Sequence, residues 1–127
     1  MKIFLVDDSP IVLERLIVMF DDYKNMDIIG KARNGITAIA SIRKLKPDIV
    51  ILDIHMPGGS GIDVLKEVRK EFPLMTVIIL TNYADPHYRS ACFEAGGDYF
   101  LDKSKEFEKV VEICKELIRK NGPIKRK

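Results

Sequence analysis

DIVILD, residues 48–53, decides the fold. Ile49, Val50, Ile51 and Leu52 form an unbroken apolar run, mostly β-branched, that stops at a carboxylate. A strand with one wet face alternates apolar and polar residues. An unbroken run belongs to a strand covered on both faces, as parallel sheets require. Val77-Ile78-Ile79-Leu80 reads the same way. Working outward, apolar runs at 2–6, 27–32, 48–52, 75–80 and 98–101 make five strands.

Helical periodicity fills the gaps. Ser9-Pro10 is a natural N-cap and first-turn pair, and apolar residues follow at 12, 13, 16, 17 and 20. Ile36, Ile39, Ile42 and Leu45 make a second stripe, and Ile62, Leu65, Val68 and Phe72 a third. A weaker fourth pattern runs from about Asp85 to Ala95. Phe107, Val110, Val111, Cys114, Leu117 and Ile118 make the clearest, at the end. Strands alternating with helices of this length predict an α/β fold with right-handed crossovers. Pro47, Pro57 and Gly96-Gly97 punctuate it, and Asn121-Gly122-Pro123 ends the domain or begins a linker. The expected organisation is one domain over 1–121, then a basic tail or linker start over 122–127.

The composition is that of a soluble globular protein, with 46% hydrophobic and 31% charged residues. No apolar stretch approaches the roughly twenty residues of a membrane span. The first residues lack the pattern of a secretory signal, so a cytoplasmic location is expected. Cys92 and Cys114 share no metal-like spacing and read as reduced core thiols. The formal charge is +2, but RKNGPIKRK at 119–127 holds five bases and no acid. Without it, 16 bases face 19 acids, a body charge of −3. Such a tail can touch nucleic acid. The simpler reading is a solvated helix end suited to the helix dipole, so direct nucleic-acid binding is not expected of this chain.

Polar residues fall where the apolar runs stop. The first ends at Asp7-Asp8, the third at Asp53, the fourth at Thr81 and the fifth at Lys103. In an open parallel sheet these ends share one edge, and ligands bind in the crevice outside it. Three carboxylates against one lysine leave surplus negative charge. A hard cation with oxygen ligands, Mg²⁺, is the natural counter-ion, expected between Asp7 and Asp8. Carboxylate nucleophile, lysine, hydroxyl and Mg²⁺ together suit phosphoryl transfer. Asp53 would be the nucleophile, forming an aspartyl phosphate. Asp8 and Asp53 would share the metal with the phosphoryl group, while Lys103 and Thr81 contact phosphoryl oxygens. Each residue also has a plain reading. Asp8 can be an N-cap in competition with Ser9. Asp53 can open a glycine-rich loop, Thr81 can cap, and Lys103 can be solvated. Four such coincidences on one edge make the plain reading the weaker one.

These residues resemble the receiver domains of two-component response regulators. VDDSP resembles the acidic-pair segment, and DIVILDIHMPGGSGIDVL the phosphoacceptor strand and loop. VIILTNYAD resembles the Thr/Ser strand, and AGGDYFLDKS the turn, switch aromatic and lysine. The resemblance covers residues 2 to about 120. It implies a flavodoxin-like, doubly wound sheet in the order 2-1-3-4-5 with five helices on both faces. It implies that Asp53 accepts a phosphoryl group from the phosphohistidine of a sensor histidine kinase or phosphotransfer protein. Asp8 would bind Mg²⁺ directly, Asp7 mainly through water, and the backbone carbonyl of His55 would be the third protein ligand. Lys103 would hold the phosphoryl group, and Thr81 and Phe100 would be the coupled switch pair. The output face would be the fourth helix, fifth strand and fifth helix. That face would meet a downstream protein or fused output domain, or a second copy in a homodimer.

Three departures from the family pattern involve four positions. Ser104 stands where proline commonly follows the lysine through a cis bond. A cis bond before a non-proline costs about 2.5–4 kcal/mol, so trans is plausible there. Asn82 replaces a usually small residue, narrowing access. His55 and Tyr83 are bulky at positions that influence dephosphorylation, which predicts slow loss of the phosphoryl group. His55 as a side-chain metal ligand is weak, because no second His or Cys lies near it in the pattern.

Two rival functions remain. One is a small hydrolase with an aspartyl-phosphate intermediate. It needs an acid/base carboxylate two residues after the nucleophile, where His55 stands. The other is a pseudo-receiver that only binds partners. It fits poorly, because no acidic residue, Thr or Lys of the set is missing.

Overall fold

The computed structural model describes residues 1–56 and 61–121. Along the chain they form β1 (Lys2–Val6), α1 (Pro10–Asp21), β2 (Asp27–Ala32), α2 (Gly35–Leu45), β3 (Ile49–Leu52), α3 (Gly61–Glu71), β4 (Thr76–Thr81), α4 (Pro86–Glu94), β5 (Tyr99–Asp102) and α5 (Lys109–Asn121). The sheet order is β2-β1-β3-β4-β5, with every pairing parallel. The basic tail, Pro57 and the Gly58-Gly59-Ser60 stretch lie outside the described residues.

The unbroken apolar strands serve two cores at once. Successive side chains of a strand point to opposite faces. Phe4 and Val6, Val50 and Leu52, and Val77 and Ile79 join Ala38, Ile42, Val64, Leu65, Val68 and Cys92 beneath α2, α3 and α4. Ile3 and Leu5, Ile49 and Ile51, and Ile78 and Leu80 join Leu13, Leu16, Phe20, Val110, Val111 and Cys114 beneath α1 and α5. The edge strand β2 is mostly half-exposed, as an edge tolerates. Cys92 and Cys114 are free and buried. No helix among the described residues is long and apolar enough to cross a membrane.

Caps fix where the helices start. Ser9 Oγ accepts from the Val12 N–H at 3.3 Å, with Pro10 next, so Ser9 rather than Asp8 caps α1. Asn34 Oδ1 accepts from Thr37 N–H at 2.9 Å and Asp85 Oδ1 from Tyr88 N–H at 3.0 Å.

Two helical stripes differ from expectation. The Asn34 cap phases α2 so that Gly35, Ala38 and Ile42 face the sheet, leaving Ile36 76% exposed. Phe107 is buried but precedes α5, which begins at Lys109. The turn holding it is closed by the Glu106 N–H donating to Asp102 O at 2.7 Å.

Candidate phosphoacceptor site

Three site residues stand one position beyond a strand, on backbone that continues the sheet ladder. The Asp7 N–H donates to Ala32 O at 3.1 Å, the Asp53 N–H to Val6 O at 3.0 Å and the Lys103 N–H to Thr81 O at 2.8 Å. The sheet thus fixes where these side chains start, at its carboxyl edge, beside the point where strand order reverses. The β3–α3 loop is held close by Gly61, whose N–H donates to Ile54 O at 2.8 Å. A Cβ on Gly61 would collide with Asp53 O and Ile54 Cα.

Asp7, Asp8 and Asp53 each bring a carboxylate oxygen within 4.8 Å of the others. Asp7 and Asp53 are buried and Asp8 is half-buried. Lys103 reaches across, its Nζ 2.7 Å from Asp7 Oδ2 and 3.2 Å from Asp53 Oδ2. Backbone N–H groups satisfy other oxygens: Ser9 donates to Asp7 Oδ1 at 2.9 Å and His55 to Asp53 Oδ1 at 3.2 Å. The sequence places a metal between Asp7 and Asp8, and the carboxylates that would hold it are grouped. The Lys103 ammonium joins Asp7 to Asp53 beside them.

Charge balance explains the titration of the pair. Burial pushes the Asp7 carboxyl up, and hydrogen bonds from Lys103 and the Ser9 N–H only partly offset it. Burial pulls Lys103 down, but its hydrogen bond to Asp7 and the Asp53 and Asp7 charges outweigh that and raise it. One contact thus favours the charged lysine while its carboxylate partner is disfavoured. The lysine direction is decisive, because its ammonium lies against two carboxylates, Asp7 and Asp53. The ammonium stays charged, and surplus negative charge remains.

Thr81 is fully buried, and its Oγ1 accepts from the Tyr83 N–H at 3.1 Å, so the plain capping role is present. Phe100, on the neighbouring strand, is buried in the α2–α4 core. The Arg89 guanidinium of α4 lies 5.7 Å from its ring and 5.4 Å from that of the half-exposed Phe93. The His55 and Tyr83 rings meet edge to face, centroids 4.0 Å apart, and Tyr83 touches Tyr88 at 5.9 Å. These rings join the loops after β3 and β4.

Sequence reasoning missed two groups here. Arg33, just after β2, donates from Nε to the Asp8 carbonyl at 3.3 Å, bringing a second cation to the rim. Asp102 flanks Lys103, and its Oδ1 accepts from both the N–H and the Oγ of Ser104, at 2.9 and 2.7 Å. An aspartate two residues before a serine is a readable signal for such a turn. Nothing in the sequence pattern marks Arg33.

The strand order places the molecule among flavodoxin-like, doubly wound α/β proteins. The family model for the response regulator receiver domain matches residues 3–115. The chain belongs to that family, the receiver domains of two-component signalling. It is 34% identical over 118 residues to the uncharacterized transcriptional regulatory protein YvfU of Bacillus subtilis, covering 93% of this chain and 59% of the relative. It is 37% identical over 120 residues to the probable transcriptional regulatory protein TcrX of Mycobacterium tuberculosis, covering 94% and 50%. The response regulator domain of Thermotoga maritima CheB superposes with a TM-score of 0.82 at 28% identity, covering 94% of each chain. The chain spans about half the length of the curated relatives it matches.

Proposed function

We propose that this receiver is a phosphorylation-activated switch that accepts a phosphoryl group on Asp53. The observation that carries this is the Lys103 ammonium, 2.7 Å from Asp7 and 3.2 Å from Asp53 at the edge where the acidic cluster meets the Thr81 strand end. The donor is a phosphohistidine of a sensor histidine kinase or phosphotransfer protein. An Asp53 carboxylate oxygen attacks phosphorus, and the P–N bond breaks. The imidazole nitrogen leaves with the electron pair and takes up a proton from solvent. Lys103 exchanges a carboxylate for a phosphoryl oxygen, and Thr81 turns its hydroxyl from the Tyr83 N–H to another.

An all-oxygen, surplus-negative donor set fits Mg²⁺. Asp8, Asp53 and the His55 carbonyl would hold it, with Asp7 acting mainly through water. Bound there, the ion supplies positive charge for the equatorial oxygens during transfer.

The new group adds about two negative charges and three acceptors. Drawing Thr81 away from the Tyr83 N–H loosens the β4–α4 loop, and Phe100 follows. The α4–β5–α5 face is thereby biased between two states. It would then bind a downstream protein, a fused output domain or a second copy. A fused output domain fits the transcriptional-regulator relatives, which are about twice as long. Independent hydrolase activity is not part of this reading. It would need a carboxylate where His55 packs against Tyr83.

Intact-mass measurement after incubation with Mg²⁺ and acetyl phosphate tests the proposal. The expected result is one added phosphoryl group, absent without Mg²⁺ and absent in Asp53→Asn. An unlabelled, folded wild type would overturn it.

A further inference from the structure

Lys103 reaches two carboxylates just beyond the ends of two other strands, yet its own side chain is among the most flexible. A lysine carries about 2 kcal/mol of rotamer entropy, so delivering its ammonium to one point demands a fixed backbone. On the N-terminal side the Lys103 N–H is bonded to Thr81 O at 2.8 Å. On the other side stands Ser104, and no peptide bond among the described residues is cis. A hydrogen-bonded turn takes the place that a rigid proline ring would occupy.

The turn is closed on itself. Asp102 Oδ1 accepts from the Ser104 N–H at 2.9 Å and from Ser104 Oγ at 2.7 Å. The Asp102 N–H donates to Glu106 Oε1 at 2.9 Å, while the Glu106 N–H donates to Asp102 O at 2.7 Å. Glu106 Oε2 is held by Lys109 Nζ at 3.0 Å, at the first residue of α5. The chain entering and leaving Lys103 is thus tied to β4 on one side and to α5 on the other. Ser104 itself is exposed.

We propose that Asp102 and Ser104 are positioning residues for phosphoryl transfer: their turn, locked by Glu106, aims the Lys103 ammonium at Asp7 and Asp53. The inference rests on the reading of Asp53 as phosphoacceptor. Ser104→Ala and Asp102→Ala remove a donor and the acceptor; Ser104→Thr and Asp102→Asn keep them. The expected result with acetyl phosphate at saturating Mg²⁺ is a maximal labelling rate lowered about tenfold in both alanine variants. The threonine and asparagine variants should recover most of it, and the half-saturating donor concentration should move less than the rate. A second readout needs no phosphorylation. The ¹⁵N signal of Lys103 Nζ should shift toward that of a solvated lysine in Ser104→Ala and stay in place in Ser104→Thr.

The outcomes separate. If wild type labels, the alanine variants label equally fast and the Nζ signal is unmoved, the positioning role is overturned and the Asp53 reading stands. A rate loss that threonine does not rescue, accompanied by a lost cooperative melt, also overturns it: the turn is then only a clasp on α5. If wild type fails to label, the Asp53 reading falls, and the Nζ signal alone decides whether the turn aims Lys103.

Discussion

Lys103 Nζ stands 2.7 Å from Asp7 Oδ2, an ion pair between the ends of β5 and β1 with both side chains less than a tenth exposed. Removing one partner of such a pair strands the other's charge, at a cost of about 3 kcal/mol. Lys103→Met should therefore lower the urea midpoint markedly, with the slope unchanged. The pH dependence follows from the two shifts. The folded value of Lys103 is raised above 10.5, so its stabilisation is present below that pH and is lost as pH rises through the folded value. The folded value of Asp7 is raised above 3.8, so its charged form burdens the fold above that value. The burden eases as pH falls toward 3.8. The stability deficit of Lys103→Met should accordingly shrink as pH is lowered from neutrality, and Mg²⁺ should raise its melting temperature more than that of wild type. A deficit independent of both would mean that the lysine is not compensating the acidic cluster.

The His55–Tyr83 ring pair predicts a long-lived phosphorylated state. The two rings touch across the loops after β3 and β4, and rings placed there would screen Asp53 from attacking water. Purified phosphoprotein of His55→Ala/Tyr83→Ala should lose its label several-fold faster than wild type. Tyr83→Ala alone should fall between them. An unchanged decay rate for the double variant would remove the shield from the account.

Arg69 makes a prediction about stability alone. Its guanidinium donates to the carbonyls of Gly96, Phe72, Pro73 and Met75 and to Asp98 Oδ2, whose same oxygen accepts the Val77 N–H. It thus gathers the end of α3 and the starts of β4 and β5, at the edge of the sheet opposite the acidic cluster. Lysine cannot reproduce that fork. Arg69→Lys should cost about 2 kcal/mol in urea unfolding while Asp53 labels at the wild-type rate. Slower labelling with unchanged stability would be the contrary result.

Legibility tracked the physics of each element. Strands were readable to within a residue because runs such as Ile49–Leu52 have no other way to be satisfied than burial on both faces. The convergence of Asp7, Asp8, Asp53 and Lys103 was readable because parallel topology places all strand ends on one edge. Ile36 was misplaced because periodicity alone does not fix the phase of a short helix; the Asn34 cap does. The Arg69 hub escaped because most of its partners are backbone carbonyls, which carry no residue signature. The Lys103 bridge from Asp7 to Asp53 was not readable, because pair distances come from three strands' relative heights, which a sequence does not state.

Cys92 and Cys114 lie at 0% exposure on α4 and α5, with burial pushing their thiols up to about 11 and about 12. Neither can meet an alkylating reagent as a thiolate until its helix lifts from the sheet. The unaltered chain therefore carries two built-in clocks, one on each helix that flanks β5. The rates at which the two thiols become alkylated time the opening of α4 and of α5 separately, without a dye or a substitution.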